Sequence, residues 1–187
     1  MTQVNAGAEA SVKEAAVTAK AVELIRRRPP LAEVVMDVTL RNQEAAPRWF
    51  ILPRSLPDDG KGGVDVLEVS AAEGEGRAVV GRFLGGGGFY GVLLPAGAVV
   101  QLKALSFEVW EESPEVLRFT ARVASELSLG GEPARAWFAA DPTSDSRVAA
   151  ERYKPLSVHR TADGKEVPAV LTGARDIAVE VALPPEL

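Results

Sequence analysis

The first candidate for catalysis or metal binding is a single histidine. His159 is the only histidine in the chain, and there is no cysteine. A cupredoxin-type copper site needs two histidines and a cysteine, so it is excluded, together with thiolate metal sites, disulfides and cysteine nucleophiles. A serine–histidine–aspartate triad has no supporting motif, and a histidine beside Arg160 in a predicted hairpin is typical of the protein surface. The sequence therefore indicates no catalytic residue and no cofactor.

Two acidic loops contain the oxygen ligands that calcium prefers. Asp58, Asp59 and Asp65 belong to a glycine-containing stretch, and Asp141 and Asp145 belong to a second loop. Neither follows the regular alternation of a calcium-binding loop. Aspartates also favour turns without any metal. Both interpretations stay open, and we assign no metal site.

A cluster of glutamates near the middle of the chain offers a different chemistry. Its members are Glu108, Glu111, Glu112 and Glu115. Paired carboxylates carry out glycoside hydrolysis, so a hydrolase is one alternative function; a solubilising acidic turn is the simpler interpretation. Arg26, Arg27 and Arg28, with Arg41, Arg48 and Arg54, make the early part of the chain basic. The opposite charges of this part and of the acidic turn are compatible with a dipole that joins copies head to tail or docks a partner, or with scattered solvated charge.

A run of four glycines at positions 85–88 lies between two apolar segments. A phosphate-binding loop would need a following lysine and a serine or threonine, but Phe89 and Tyr90 come next. An esterase-type oxyanion loop would need Gly-x-Ser-x-Gly, which does not occur. The run predicts a hairpin tip. Because aromatic residues flank that tip, contact with a membrane or lipid is a second alternative function.

Aromatic residues supply the remaining candidates for recognition. Trp137 and Phe138 lie with Tyr153 in a region of weak pattern at about 130–175. Long irregular excursions tend to carry function, and exposed aromatic residues are typical of protein interfaces. The candidate recognition residues are Trp137, Phe138, Tyr153, Phe89 and Tyr90.

The elements that must position these residues are strands, and the strongest pattern runs from Leu105 to Leu129. Apolar and polar residues alternate before and after an acidic turn that contains Pro114. Successive side chains on a strand point to opposite faces, so the pattern predicts an antiparallel hairpin. Upstream, the apolar phase changes at Lys103-Ala104, which predicts a β-bulge or a strand that crosses between sheets.

Similar patterns along the chain predict about eight to ten strands and no long helix. They include a strand with a phase slip at 17–25, for which a short amphipathic helix is the alternative. They also include a half-buried strand at 34–40, a short one at 49–52 and a final one at 177–183. This predicts an all-β fold, namely an antiparallel β-sandwich that is immunoglobulin-like in broad architecture. Two segments are loosely similar to bacterial immunoglobulin-like modules: Val38-Thr39-Leu40-Arg41-Asn42, followed by Pro47 and Trp49, and Leu94-Pro95-Ala96-Gly97 before a strand. We expect a flexible tail at 1–15 and one domain at 16–187.

Composition and net charge limit the kinds of partner that the chain is expected to bind. The chain has 187 residues, 47% of them hydrophobic, and a formal net charge of −5. Nucleic-acid binding needs a basic face, so nucleic acid is not expected as the main partner. No signal peptide or membrane-spanning run is evident, which predicts a cytoplasmic protein as written, or an exported one if a leader is missing. We expect a non-catalytic binding module whose partner is another protein or a second copy of the chain.

Overall fold

A computed structural model describes residues 14–26, 28, 30–53, 67–76, 78–83, 89–110, 115–134, 152–153, 156–158 and 168–183. The described residues have an all-β fold, as predicted. Their strands are β1 (Ala16–Arg26), β2 (Leu31–Arg41), β3 (Arg48–Pro53), β4 (Leu67–Glu73), β5 (Val79–Phe83), β6 (Phe89–Leu94), β7 (Val99–Trp110), β8 (Val116–Ala124), β9 (Glu126–Leu129), β10 (Glu132–Pro133), β11 (Arg152–Tyr153), β12 (Leu156–Val158), β13 (Ala169–Thr172) and β14 (Arg175–Ala182).

These strands form three sheets. The first sheet has the order β1-β2-β7-β4-β11, and the second has the order β12-β5-β6-β3-β8-β14. The small sheet has the order β10-β9-β13. Neighbouring strands are antiparallel, except that the short β12 runs parallel to β5. In the part of the chain that the structure describes, no helix is long and apolar enough to cross a membrane.

One apolar cluster, the main core, contains side chains from both larger sheets. On β2, Val34, Met36, Val38 and Leu40 are fully buried, and the residues between them are half-buried. This confirms the half-buried strand that the alternation predicted, because one face of β2 meets the core and the other does not. Alternate residues of β3, β6, β8 and β14 complete the cluster from the second sheet.

The hairpin predicted for Leu105–Leu129 is wrong. β7 pairs with β2 and β4 in the first sheet, whereas β8 pairs with β3 and β14 in the second. The apolar faces of the two strands meet across the core, where the Phe107 and Phe119 rings stack with centroids 5.2 Å apart. A period of two identifies the buried face of a strand and leaves its hydrogen-bonding neighbour undetermined, so the same pattern suits both arrangements.

The bulge predicted at Lys103-Ala104 is confirmed. Met36 pairs with Leu105 and Val38 pairs with Leu102, so both bulge residues lie opposite Asp37. Ala104 has a φ of 55°, and its N–H donates to Asp37 Oδ1 at 3.2 Å. The extra residue restores the apolar phase and keeps both halves of β7 turned toward the core. The phase slip predicted in the first strand is also present, as a register shift between Ala21 and Glu23 of β1.

A second apolar cluster lies on the other face of β3 and β6. Trp49, Ile51 and Leu93 pack there with Leu127 and Leu129 of β9. The small sheet therefore contributes to the covering of one half of the second sheet. Strands β3 and β6 are buried on both faces, which explains why their sequences are continuous apolar runs instead of alternating patterns.

Gly91 of β6 lies against the Trp49 ring. A Cβ atom at Gly91 would be 3.3 Å from two carbon atoms of that ring and 3.6 Å from Leu127 Cδ2. Carbon atoms pack best at about 3.5–4.0 Å, so any side chain here would push the ring away. A glycine at this position allows the tryptophan to lie directly on the neighbouring strand.

Candidate functional site

The structure assigns the two aromatic residues beside the glycine run to different environments. Strands β5 and β6 form the predicted hairpin, with Phe83 opposite Phe89; residues 84–88 lie outside the described residues. Phe89 is half-buried and packs against the second cluster. Tyr90 is only 1% exposed and belongs to the main core. Of this pair, only Phe89 therefore reaches the surface.

The other aromatic candidates belong to the long segment between β8 and β14, residues 125–174, which we call the excursion. Tyr153 lies in β11, opposite Leu67 of β4. Trp137 and Phe138 lie outside the described residues. Sequence reasoning expected residues at about 130–175 to be irregular, yet the described parts of that range include β10 and β13 of the small sheet and the two short strands β11 and β12.

Strands β11 and β12 extend both larger sheets. The first pairs with β4 of the first sheet, and the second pairs with β5 of the second sheet, where Val158 lies opposite Phe83. Only two residues of chain separate β11 from β12. An exposed sheet edge is a site for unwanted pairing with other chains, and covering it is a common protection. Part of the excursion thus pairs with the neighbouring strand at one edge of each larger sheet.

The two ends of the excursion meet where it leaves and rejoins the second sheet. We call this point, residues 125 and 172–173, the neck. Ser125 follows β8, and its N–H and Oγ both donate to the carbonyl oxygen of Thr172, at 3.0 and 2.8 Å. Gly173 follows with a φ of 60°, and a Cβ there would be 2.7 Å from Ser125 Oγ. Both the backbone angle and the lack of space require glycine at this position. The two ends of the excursion are therefore held together.

A buried asparagine organises the neighbouring loops. Asn42, at 1% exposure, follows β2, and its side-chain amide donates to the carbonyl oxygens of Ala46 (2.9 Å), Leu94 (3.1 Å) and Pro95 (3.0 Å). Its Oδ1 accepts the Glu44 N–H at 3.1 Å. One side chain thus ties the β2–β3 loop to the β6–β7 turn. Buried amides need such partners, because an unpaired one costs about 1–3 kcal/mol.

An ion cluster connects those loops to the neck. Glu44 accepts hydrogen bonds from Arg48 Nε at 2.5 Å and from Arg175 Nη2 at 2.7 Å. Burial alone would raise the pKa of Glu44, but the hydrogen bonds and positive charges of Arg175 and Arg48 outweigh it and hold that pKa below its ordinary value. Arg48 begins β3 and Arg175 begins β14, so a single ionised carboxylate joins two strands of the second sheet.

We call this region the anchored end; it comprises residues 42–47, 95–98, 125 and 173–175. The side chains that it exposes are small or uncharged, whereas its charged groups are half-buried and paired with one another. The exposed residues are Gln43, Ala45, Ala46, Ala96, Gly97, Ser125, Gly173 and Ala174. Sequence reasoning missed this end. The turn composition of 42–47 was visible, but nothing marked the contact between Glu44 and Arg175, which are 131 positions apart.

The groups considered for catalysis and metal binding lie mainly outside the described residues. These are His159, Asp58, Asp59, Asp65, Asp141, Asp145, Glu111 and Glu112. Among the described residues, no group of three or more histidine, aspartate or glutamate side chains is placed to hold a metal ion. Glu108 lies opposite Glu33 in the β2–β7 ladder, and the half-buried Glu33 accepts a hydrogen bond from Ser106 Oγ.

Described neighbours of the basic segment and of the acidic turn pair with each other at one end of the first sheet. Leu31, just after the arginine run, pairs with Trp110, just before the acidic turn. Arg28 and Glu115 are exposed, whereas Arg27, Glu111 and Glu112 lie outside the described residues. The docking dipole therefore stays a prediction.

No family model, curated protein or solved structure matches the chain. The geometry above must therefore carry any functional conclusion by itself.

Proposed function

We propose that the two larger sheets form an immunoglobulin-like β-sandwich. Seven-stranded immunoglobulin domains have one sheet in the order A-B-E-D and another in the order C-F-G. The orders β1-β2-β7-β4 and β3-β8-β14 are equivalent when the strands are lettered along the chain. In this scheme the β5–β6 hairpin is an insertion that extends the second sheet beyond β3. The shared main core supports packing of the two sheets face to face.

We further propose that the protein is a non-catalytic binding module that recognises another protein through its anchored end and the adjoining excursion. In the same lettering, the excursion occupies the F–G connection, and 42–47 is the B–C loop. Immunoglobulin variable domains bind their ligands with these two connections. Function depends on the site and not on the fold alone, and the local geometry supports the proposal independently.

The observation that carries this proposal is the Glu44–Arg48–Arg175 cluster beneath an uncharged, small-residue surface. Recognition is stronger when the binding surface is rigid before binding, because less conformational freedom is then lost. The cluster and Asn42 fix three connections relative to one another. Alanine and glycine residues at the surface have no side-chain rotamer entropy to lose when a partner covers them.

A two-step experiment tests this proposal. Chemical cross-linking in extracts of the source cells, followed by mass spectrometry, identifies bound proteins, and calorimetry with each purified partner then measures affinity. We expect the double variant Ala45→Arg/Ala96→Glu to bind at least about tenfold more weakly, because bulky charges would obstruct the surface. The control variant Thr18→Arg/Val22→Glu changes exposed residues of β1 and should bind like the native protein. Equal affinity of all three proteins would refute the proposal, as would the recovery of no partner.

A further inference from the structure

The outer face of β8 and β14 differs from the rest of the second sheet. Its side chains point away from the main core, and they are exposed along both strands. They are Arg118, Thr120 and Arg122 on β8, and Asp176, Ala178, Glu180 and Ala182 on β14. The outer face of β3 and β6 is instead covered by β9. We call the exposed surface the charged face.

The charges on this face follow a regular arrangement. Arg118 lies opposite Glu180 in the ladder, and Arg122 lies opposite Asp176. The Nε-to-carboxylate distances are 2.9 and 3.3 Å. The row between these two pairs consists of the small residues Thr120 and Ala178. On this face each strand thus presents a single sign of charge, positive on β8 and negative on β14. The small side chains between the two ion pairs project less far from the sheet than the charged ones.

We infer that the charged face associates with the same face of a second copy of the chain. A twofold axis parallel to the strands, placed between the two faces, would set β8 of each copy over β14 of the other. Paired residues would then keep the same position along the strand direction. Arg118 would then lie across from the second copy's Glu180, and Arg122 across from its Asp176. Each guanidinium would have one carboxylate beside it and another in front of it, and Thr120 and Ala178 would leave room for close approach.

The same charges exclude the other simple orientation. A twofold axis perpendicular to the strands would set β8 over β8, so that Arg118 of one copy would face Arg122 of the other. Like charges brought together in an interface oppose association. The pattern therefore selects one arrangement of the two copies, as an isologous interface requires.

The size of the face sets the strength of this association. The β8–β14 ladder has eight residue pairs. At about 3.4 Å per residue and about 4.8 Å between strands, the face covers roughly 250–300 Å² per copy. A standard stable interface buries about 800 Å² per partner. The dimer is therefore weak and transient, and it dissociates as salt screens its exposed charges.

Charge exchange tests this inference. Arg118→Glu/Arg122→Glu makes the whole face acidic, and Asp176→Lys/Glu180→Lys makes it basic. We expect sedimentation equilibrium up to millimolar concentration to show each variant associating with itself at least about tenfold more weakly than the native protein. A mixture of the two variants should form heterodimers. The variant with all four changes regains a self-complementary face and should associate again.

The controls separate this inference from effects on folding. The matched double reversal Glu73→Lys/Glu75→Lys changes exposed residues elsewhere and should leave self-association unchanged. Thermal melting checks that every variant is folded. A native protein that stays monomeric throughout, a native dimer that salt does not weaken, or a mixture without heterodimers would each overturn the inference. Because the anchored end is a different surface, these outcomes leave the proposed recognition function untouched.

Discussion

The two halves of the second sheet have opposite surroundings. On β3, Trp49 and Ile51 enter the second cluster while Phe50 and Leu52 enter the main core, so the strand has no solvent-facing side. On β8, alternate residues are exposed, and Arg118 is among them. Two strands that are direct neighbours in one sheet therefore have different sequence patterns, because β9 covers only one of them.

This difference separates the residues that stabilise the fold from those available for interaction. Burial of a large apolar side chain contributes about 1.5–3 kcal/mol, whereas an exposed ion pair contributes about 0–1 kcal/mol. We call β3 and β6 the covered half and β8 and β14 the exposed half. The covered half should therefore be sensitive to substitution, and the exposed half should tolerate it. The following predictions test this contrast, from the largest expected effect to the smallest.

Truncation of Leu127 should have the largest effect. This side chain is 2% exposed and joins the small sheet to the covered half. We expect Leu127→Ala to lower the free energy of unfolding by about 2–5 kcal/mol, because it removes buried methyl groups and leaves a cavity. Chemical denaturation measures the change. Val170→Ala, at a 58% exposed position of the same small sheet, is the control and should change stability by less than about 0.5 kcal/mol.

A small effect of Leu127→Ala would show that β9 packs loosely on β3 and β6. The second cluster would then not be a true core, and the two halves of the second sheet would differ less than the burial of their side chains indicates.

The same contrast explains which strands the sequence could reveal. Strands with only one face in the main core, such as β2 and β14, alternate clearly and were predicted well. β6 is covered on both faces, so the neighbouring Phe89 and Tyr90 belong to different apolar clusters although nothing in their sequence distinguishes them. The error over Leu105–Leu129 has a related origin, since alternation indicates a buried face and carries no information about strand pairing.

The anchored end was beyond sequence analysis for a different reason. Arg175 reaches Glu44 only because β14 returns to the second sheet after the whole excursion. The composition of 42–47 indicates a turn, but it does not indicate which distant side chain will contact that turn. The immunoglobulin-like arrangement and the recognition roles of Trp137, Phe138 and Tyr153 stay predictions.

The Glu44 cluster, which joins the covered half to the exposed half, should have an intermediate effect. We expect Glu44→Gln to lower the free energy of unfolding at neutral pH by about 1 kcal/mol, because two charge-assisted hydrogen bonds weaken. The folded pKa of Glu44 lies below its ordinary value. Its contribution is therefore fully present above its unfolded pKa of about 4.3 and is lost as the pH falls through the folded pKa.

Denaturation between about pH 3 and pH 7 measures this dependence. The native protein should lose stability toward acid more steeply than Glu44→Gln. Glu73→Gln changes an exposed glutamate and should follow the native curve. Parallel curves for the native protein and Glu44→Gln would mean that the cluster does not hold the two halves together.

Removal of a charge from the exposed half should have the smallest effect on the monomer. Arg118 is 73% exposed, and its partner Glu180 is 61% exposed, so water screens the pair and both long side chains lose freedom by forming it. We expect Arg118→Ala to change the free energy of unfolding by less than about 0.5 kcal/mol, measured in dilute solution where self-association is negligible. A loss comparable with that of Leu127→Ala would mean that the charged face stabilises the fold, and the contrast between the two halves would fail. A negligible loss, together with weaker self-association of the same variant at high concentration, would assign the Arg118–Glu180 pair to interaction between copies of the chain.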